Sequence, residues 1–304
     1  MCPMNQKKLK IWIEGKLYRW KKADIHVLTH TFHYGGGVFE GIRFYDTSRG
    51  PAVFRLKEHI DRLFYSASCL EMKIPYSRKD IDAAIYSVIA KNKLKSGYIR
   101  PIAYYGSEHM GIHPQGLKVH LAIAAWPWGA YLGTEPVKTL ISSYIRIHPK
   151  STHADAKICG HYVNSILASM EAVKKGCQEA ILLDYKGNVA EGPGENIFIV
   201  KNGILITPPP GNILKGITRA SVFDIAADIG IKVIEKKITV SALMAADEAF
   251  YTGTAAQISA IKSVNGKKIG SGKIGLYTEK MATIFNEIVH GRNRKYQKWL
   301  TYLK

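Results

Sequence analysis

The sequence predicts a mixed α/β protein in two lobes, on three observations. Strand-like apolar runs alternate with helix-period segments along the whole chain, with no internal repeat and no low-complexity stretch. The 304 residues suffice for two ordinary cores. Near the middle, Pro127-Trp128-Gly129-Ala130-Tyr131-Leu132-Gly133 breaks the periodicity with proline and glycine, while its aromatic side chains call for packing partners. The expected division is a smaller α/β N-terminal domain over 1–126, an interdomain loop over 127–137 and a larger C-terminal domain over 138–304.

The elements follow in order. Residues 9–19 and 25–33 read as short strands. Tyr34-Gly35-Gly36-Gly37 is a glycine-rich turn leading into Val38-Phe39-Glu40-Gly41-Ile42-Arg43. After Pro51 come a strand and a helix over about 57–70. A second helix begins near Ser77, where Ile81, Ile85, Val88 and Ile89 share one face. Strands at 98–106 and 117–126 complete the first half. The second half opens with a strand near 138–147 and a helix from about Tyr162, stopped by Gly176 after two lysines. Strands at 178–184, 188–191, 196–200 and 203–207 are joined by Lys186-Gly187-Asn188 and Lys201-Asn202-Gly203 turns. A helix over 218–229, a strand over 231–238, a short helix, strands at 247–253 and 257–264 and a helix over 276–290 finish the pattern.

Composition narrows the function classes. No apolar run approaches the roughly 18 residues that a membrane-spanning helix needs. The start, MCPMNQKKLKIWIEG, lacks an apolar signal core. The cysteines Cys2, Cys69, Cys159 and Cys177 form no CxxC pair and no zinc spacing, so reduced thiols in a cytoplasm and no metal are expected. Cys159 is read as a packing residue. The net charge of +19 raises nucleic-acid binding as a rival class. The basic residues are spread along the chain, however, and thicken only at Lys7, Lys8 and Lys10 and at Arg292, Arg294, Lys295 and Lys298. No zinc finger, RNA-binding aromatic motif or basic zipper accompanies them. A soluble surface that attracts small anions is the expectation, with no nucleic-acid and no membrane partner.

Four segments carry chemistry. In Ala154-Asp155-Ala156-Lys157-Ile158-Cys159-Gly160 a lysine stands among small residues before a helix. A surface lysine is solvated; a desolvated one has a lowered amine pKa and can attack a carbonyl. In Glu191-Gly192-Pro193-Gly194-Glu195-Asn196 a tight bend holds two carboxylates, either solvated hairpin acids or an acid placed against a protonated ring nitrogen. Gly216-Ile217-Thr218-Arg219 opens a helix, with Thr218 either a plain N-cap or part of a phosphate site. Thr252-Gly253-Thr254-Ala255-Ala256 ends a strand with small residues and hydroxyls that let backbone amides approach an anion. A reactive lysine, an acid and two anion cups together suit a phosphorylated aldehyde.

The order and spacing of these pieces resemble the branched-chain amino acid aminotransferase family, within fold-type IV of the pyridoxal 5'-phosphate (PLP) enzymes. The matching pieces are HYGGGVFEGIRFYD, EHIDRL, YIRP, WPWGAYLG, AKICGHYVNS, EAILLDYKGNVAEGPGENIF, GITR and DEAFYTGTAA, spread over about 11–290. The resemblance implies a two-domain fold like that of D-amino acid aminotransferase, and transfer of an amino group between branched-chain L-amino acids and 2-oxoglutarate. By position, Lys157 resembles the lysine that holds the cofactor's aldehyde. Arg62, Ile217, Thr218 and Thr254 resemble the phosphate cup, Tyr162 the tyrosine on the phenolic oxygen, and Glu191 the acid at the pyridine nitrogen. For substrate it implies an apolar pocket of Phe39, Gly41, Trp128 and Tyr131, with Tyr34 reaching in from a partner copy. Tyr98, Thr254 and Ala255 would hold the α-carboxylate, and Arg43 and Arg100 the side-chain carboxylate of glutamate. It also implies a homodimer, with a trimer of dimers as a larger form. Three positions depart from the family: His161 for asparagine, proline at Pro193, and Gln257 for glutamate. Rivals of the same fold are D-amino acid transaminase, aminodeoxychorismate lyase and (R)-amine transaminase; FEGIR, YIRP and PWGAYLG favour the branched-chain enzyme over the first two.

Overall fold

The computed structural model describes residues 8–129, 131–133 and 135–303. Cys2, Lys7 and Ala130, which entered the sequence argument, lie outside the described residues. In chain order the first elements are β1 (Lys10–Ile13), β2 (Lys16–Arg19), α1 (His30–Tyr34), β3 (Gly37–Phe39), β4 (Ile42–Tyr45), β5 (Ala52–Phe54), α2 (Leu56–Ser68), α3 (Arg78–Lys91), β6 (Gly97–Tyr105) and β7 (Val119–Trp126). They continue as β8 (Val137–Ile141), α4 (Tyr162–Lys174), β9 (Glu179–Leu183), β10 (Val189–Glu191), β11 (Asn196–Lys201), β12 (Ile204–Thr207), α5 (Ile217–Asp228), β13 (Val233–Glu235) and α6 (Val240–Met244). The last are β14 (Glu248–Gly253), β15 (Gln257–Val264), β16 (Lys267–Lys268), α7 (Leu276–Val289) and β17 (Leu300–Tyr302). None of the helices described is long and apolar enough to cross a membrane.

The chain forms two compact units. One comprises the described residues of 1–129, 156–160 and 288–304, the other those of 130–155 and 161–287. The first is built on an antiparallel sheet of order β17-β5-β4-β6-β7-β1-β2, with β3 beside β6. Two helices cover it because their apolar residues recur at helical spacing. α2 buries Leu56, Ile60 and Leu63; α3 buries Ile81, Ile85, Val88 and Ile89. A reciprocal capping box between Ser77 and Asp80 starts α3. These side chains join Ile42, Phe44, Ile99, Leu121 and Ile123 of the sheet in one core.

The second unit carries a mixed sheet of order β10-β9-β8-β15-β14-β11-β12-β13, with β16 beside β15. Its β8–β9, β8–β15 and β12–β13 pairs are parallel, the rest antiparallel. Val137, Ile181, Ile197, Ile199, Tyr251, Ile261 and Val264 form its core. α4 packs Ala168 and Ala172 against Leu140, Ala180 and Leu182.

Several expectations need correction. Residues 25–33 are no strand: Thr29 N–H donates to His26 O, and the chain then turns into α1, closed by Gly35 at φ 69°. The alternating pattern there carries polar side chains that bond backbone instead, Thr31 Oγ1 to Gly36 O and His30 to Gly111 O. The strand expected to reach residue 147 ends at Ile141, because Ser142 Oγ and Ser143 N–H turn aside to donate to Glu171. The strand expected over 231–238 shrinks to Val233–Glu235. Ala156–Gly160, expected in the second domain, belongs to the first unit, as does the chain from Ile288, whose β17 adds to β5.

Candidate active site

The candidate residues fall into two groups, one in each unit. In the first, the segment Ala156–Gly160 is laid against the sheet edge like an extra strand. Val38 and Ile158 form an antiparallel bridge. Phe39 N–H donates to Lys157 O at 3.1 Å, Lys157 N–H to Ser66 Oγ at 2.9 Å, and Gly160 N–H to Gly35 O at 3.0 Å. The glycine run is required here, since a Cβ on Gly35 would stand 2.8 Å from Gly160 Cα. So pinned, Lys157 places Nζ 4.9 Å from the centre of the Phe39 ring. Burial first, then the guanidinium of Arg62, push its ammonium down from 10.5 to about 8. The neighbouring Cys159 thiol is pushed up to about 11 by burial, which fits packing rather than reactivity.

Arg62, on α2, does not stand alone. Its Nε donates to Glu40 Oε1 at 2.6 Å and its Nη2 to Glu40 Oε2 at 2.9 Å. His59 Nδ1 lies 2.7 Å from Glu40 Oε2. Burial works to raise the Glu40 carboxyl, but Arg62 and His59 hold it well below the usual carboxylate range. Burial also lowers His59, so its neutral ring donates from Nδ1 to Glu40.

Around Phe39 the unit gathers the expected substrate residues. Arg100 lies over the Phe39 ring at 4.7 Å and the Tyr98 ring at 5.5 Å, and its buried Nε has no hydrogen-bond partner. Tyr98 packs on Trp128 at 4.8 Å between ring centres. Gly41 makes room for Tyr98: a Cβ there would come within 1.8 Å of the tyrosine hydroxyl. Arg43 donates from Nη2 to Trp128 O at 2.8 Å and Gly129 O at 3.3 Å, anchoring the start of the glycine-proline stretch. Tyr34 ends α1, 45 % exposed, its ring 4.7 Å from that of His30.

In the second unit Glu191 is buried at the end of β10. Arg146 Nε donates to its Oε1 at 2.5 Å, Asn196 Nδ2 to its Oε2 at 3.0 Å, and Leu214 N–H to Oε2 at 3.1 Å. Such a donor set favours the ionised carboxylate. The bend that follows is closed by Gly192 N–H donating to Glu195 O at 2.7 Å. Tyr162 begins α4, behind His161, whose Nε2 is 2.7 Å from Thr152 Oγ1. Gly216, not Thr218, caps α5, so Ile217 and Thr218 are its first two helical residues and their N–H groups lack intrahelical acceptors. Gly253 pairs with Gln257, so Thr254-Ala255-Ala256 forms the three-residue hairpin turn, and Gln257 adopts the left-handed φ of 56°. The Thr252 hydroxyl beside it is buried without a partner. Tyr131 is 46 % exposed.

The sequence reasoning missed Glu40, His59, Arg146 and Asn196 as supporting groups. Three of the four lie inside matching motifs, in FEGIR, EHIDRL and GPGENIF. Arg146 carries no local signal.

The model of the class IV amino-transferases matches residues 37–264. The chain belongs to the class IV aminotransferase family. A branched-chain-amino-acid aminotransferase of Pseudomonas aeruginosa is 49% identical over 298 residues, covering 97% of each chain. The enzyme of that name from Escherichia coli K12 is 41% identical, over 95% of this chain and 96% of its own. Among solved structures, a branched-chain amino acid aminotransferase of Escherichia coli superposes with a TM-score of 0.95 at 40% identity, covering 98% of this chain and 100% of its own. A thermophilic enzyme of the same name, solved with pyridoxamine 5'-phosphate, superposes with a TM-score of 0.96 at 42% identity, covering 98% of this chain and 99% of its own. The class IV fold of two sheets is therefore that of this chain. Its residues also fit the family's cofactor: a lysine amine brought near neutrality, an arginine on a rigid helix, a carboxylate held ionised and two turns with free backbone donors.

Proposed function

We propose that this chain is a PLP-dependent transaminase that moves the amino group of leucine, isoleucine and valine to 2-oxoglutarate, giving branched-chain 2-oxo acids and L-glutamate. The observation that carries it is Lys157, a buried lysine whose amine titrates near 8, at the position where the family holds its cofactor. Relatives named for branched-chain amino acids over nearly their full length support the substrate class, as does the thermophilic enzyme solved with 4-methylvaleric acid.

Lys157 holds the cofactor and, once released, moves the proton between the substrate's Cα and the cofactor's C4′. When bound, PLP supplies the electron sink for the charge left at Cα. Glu191 keeps a proton on the ring nitrogen. Arg62, Ile217, Thr218 and Thr254 hold the phosphate, and Tyr162 the phenolic oxygen. Phe39, Gly41, Trp128 and Tyr131 bound the apolar side-chain pocket. Tyr98, Thr254 and Ala255 take the α-carboxylate. Of the two arginines assigned to glutamate's distal carboxylate, Arg100 has the unpartnered buried donor; Arg43 already serves two backbone carbonyls.

The working form is a homodimer in the cytoplasm, with Tyr34 of one copy completing the pocket of the other. The exposed apolar side chains Val27, Leu28 and Phe32 beside Tyr34, and the apolar stripe on α4, support an interface. The decisive test is Lys157→Ala against a panel of amino donors with 2-oxoglutarate. Expected are no turnover with any donor and no colour locked by borohydride. Turnover near that of the parent protein overturns the reading.

A further inference from the structure

Arg62 offers five N–H donors in a rigid planar fork. Both Glu40 oxygens are spent on one edge of that fork, at Nε and Nη2. This fixes the guanidinium's plane and its rotation about the side-chain axis. The remaining donors necessarily point away from Glu40, in one set direction. Glu40 itself is fixed from three sides. His59 Nδ1 holds Oε2, the neighbouring Gly41 N–H lies 3.2 Å from Oε2, and its own N–H donates to Pro101 O at 3.0 Å. Glu40 is 0% exposed and the Arg62 side chain 11%. An ion pair so buried gains little for stability over an apolar pair of the same size, yet loses heavily if one partner goes. Its retention there calls for a role in orientation.

We propose that Glu40, backed by His59, is a positioning residue that sets the guanidinium of Arg62 to receive the cofactor's phosphate. The inference rests on the reading that Arg62 meets that phosphate. Glu40 follows directly on Phe39, whose N–H donates to Lys157 O. One short strand end thus fixes both the lysine segment and the arginine. Glutamine at position 40 keeps the volume but turns an NH2 group toward the Arg62 donors, forcing the fork to rotate.

The test compares two aldehydes on cofactor-free protein by absorbance titration: PLP, and pyridoxal, which lacks the phosphate. Glu40 also acts on the charge of Lys157. That effect is common to both aldehydes, so the ratio of their dissociation constants isolates the phosphate. Glu40→Gln is expected to weaken PLP on the order of tenfold while leaving pyridoxal within about twofold, and to add nothing in an Arg62→Ala background. His59→Gln, which leaves the Glu40–Arg62 pair charged, is expected to give a smaller loss of the same kind, and carries the test if Glu40→Gln does not fold. Equal weakening of both aldehydes, or a full additional loss in the Arg62→Ala background, overturns the positioning role. If Arg62→Ala fails to discriminate the aldehydes, the phosphate reading of Arg62 falls first, and the positioning role with it.

Discussion

Lys157 differs from an ordinary lysine because its ammonium has lost water and faces another cation. Burial and Arg62 lower its pKa to about 8. At pH 7 roughly a tenth of such amines are neutral, against roughly one in three thousand at the ordinary value. Only the neutral amine attacks an aldehyde. The rate at which cofactor-free protein captures PLP should therefore climb with pH through a midpoint near 8 and then level. A climb continuing past pH 10 would mean a solvated lysine. Much of this was legible in the sequence, since Lys157 and Glu191 each stand in a run of small or turn-forming residues. Their supports were not. Arg146 reaches Glu191 only because β8 and β10 flank β9 in the sheet and Arg146 N–H pairs with Leu183 O of that strand. Arg43 looked like a substrate residue, and the fold instead turns its Nη2 toward Trp128 and Gly129.

At the scale of elements, periodicity predicted α2, α3 and α7 closely, because each buries one stripe against a sheet. It failed at 25–33, where alternation arose from side chains that bond the backbone. α4 shows a different pattern. Its inner face is alanine, Ala168 and Ala172, while Val163, Ile166, Met170 and Val173 are 59%, 55%, 63% and 67% exposed. A helix that is apolar on its outer face needs a cover, and a second copy of this chain supplies one. Burying each such side chain is worth roughly 1.5–3 kcal/mol. Ile166→Glu with Met170→Glu should then weaken self-association by about a thousandfold or more. Sedimentation should show a dimer for the parent protein and a monomer for the variant at micromolar concentration. A parent protein that is already monomeric, or a variant of unchanged mass, would remove α4 from the interface.

At the scale of the molecule, the first unit is closed by the far end of the chain, an arrangement that no local pattern announces. β17 is three residues long, and the turn before it reads as charged, Arg294-Lys295-Tyr296-Gln297-Lys298. Its anchor is Trp299, 6% exposed. The indole meets the Phe54 ring edge-on at 5.9 Å and the Tyr296 ring at 4.3 Å, while Arg55 Cζ lies 4.7 Å from it. Arg55 N–H donates to Trp299 O at 2.7 Å. Arg55 immediately precedes α2, the helix that carries His59, Arg62 and Ser66. Trp299→Ala should therefore cost the first unit roughly 3–5 kcal/mol, lowering its thermal midpoint by about 10 °C. The loss belongs to packing, because the contacts described for the indole fall on Phe54, Arg55 and Tyr296. Below the new midpoint, capture of PLP should keep its pH midpoint near 8. A midpoint that moves with the substitution would show that the tail shapes the lysine's surroundings; an unchanged thermal midpoint would show that β5 holds its place without β17.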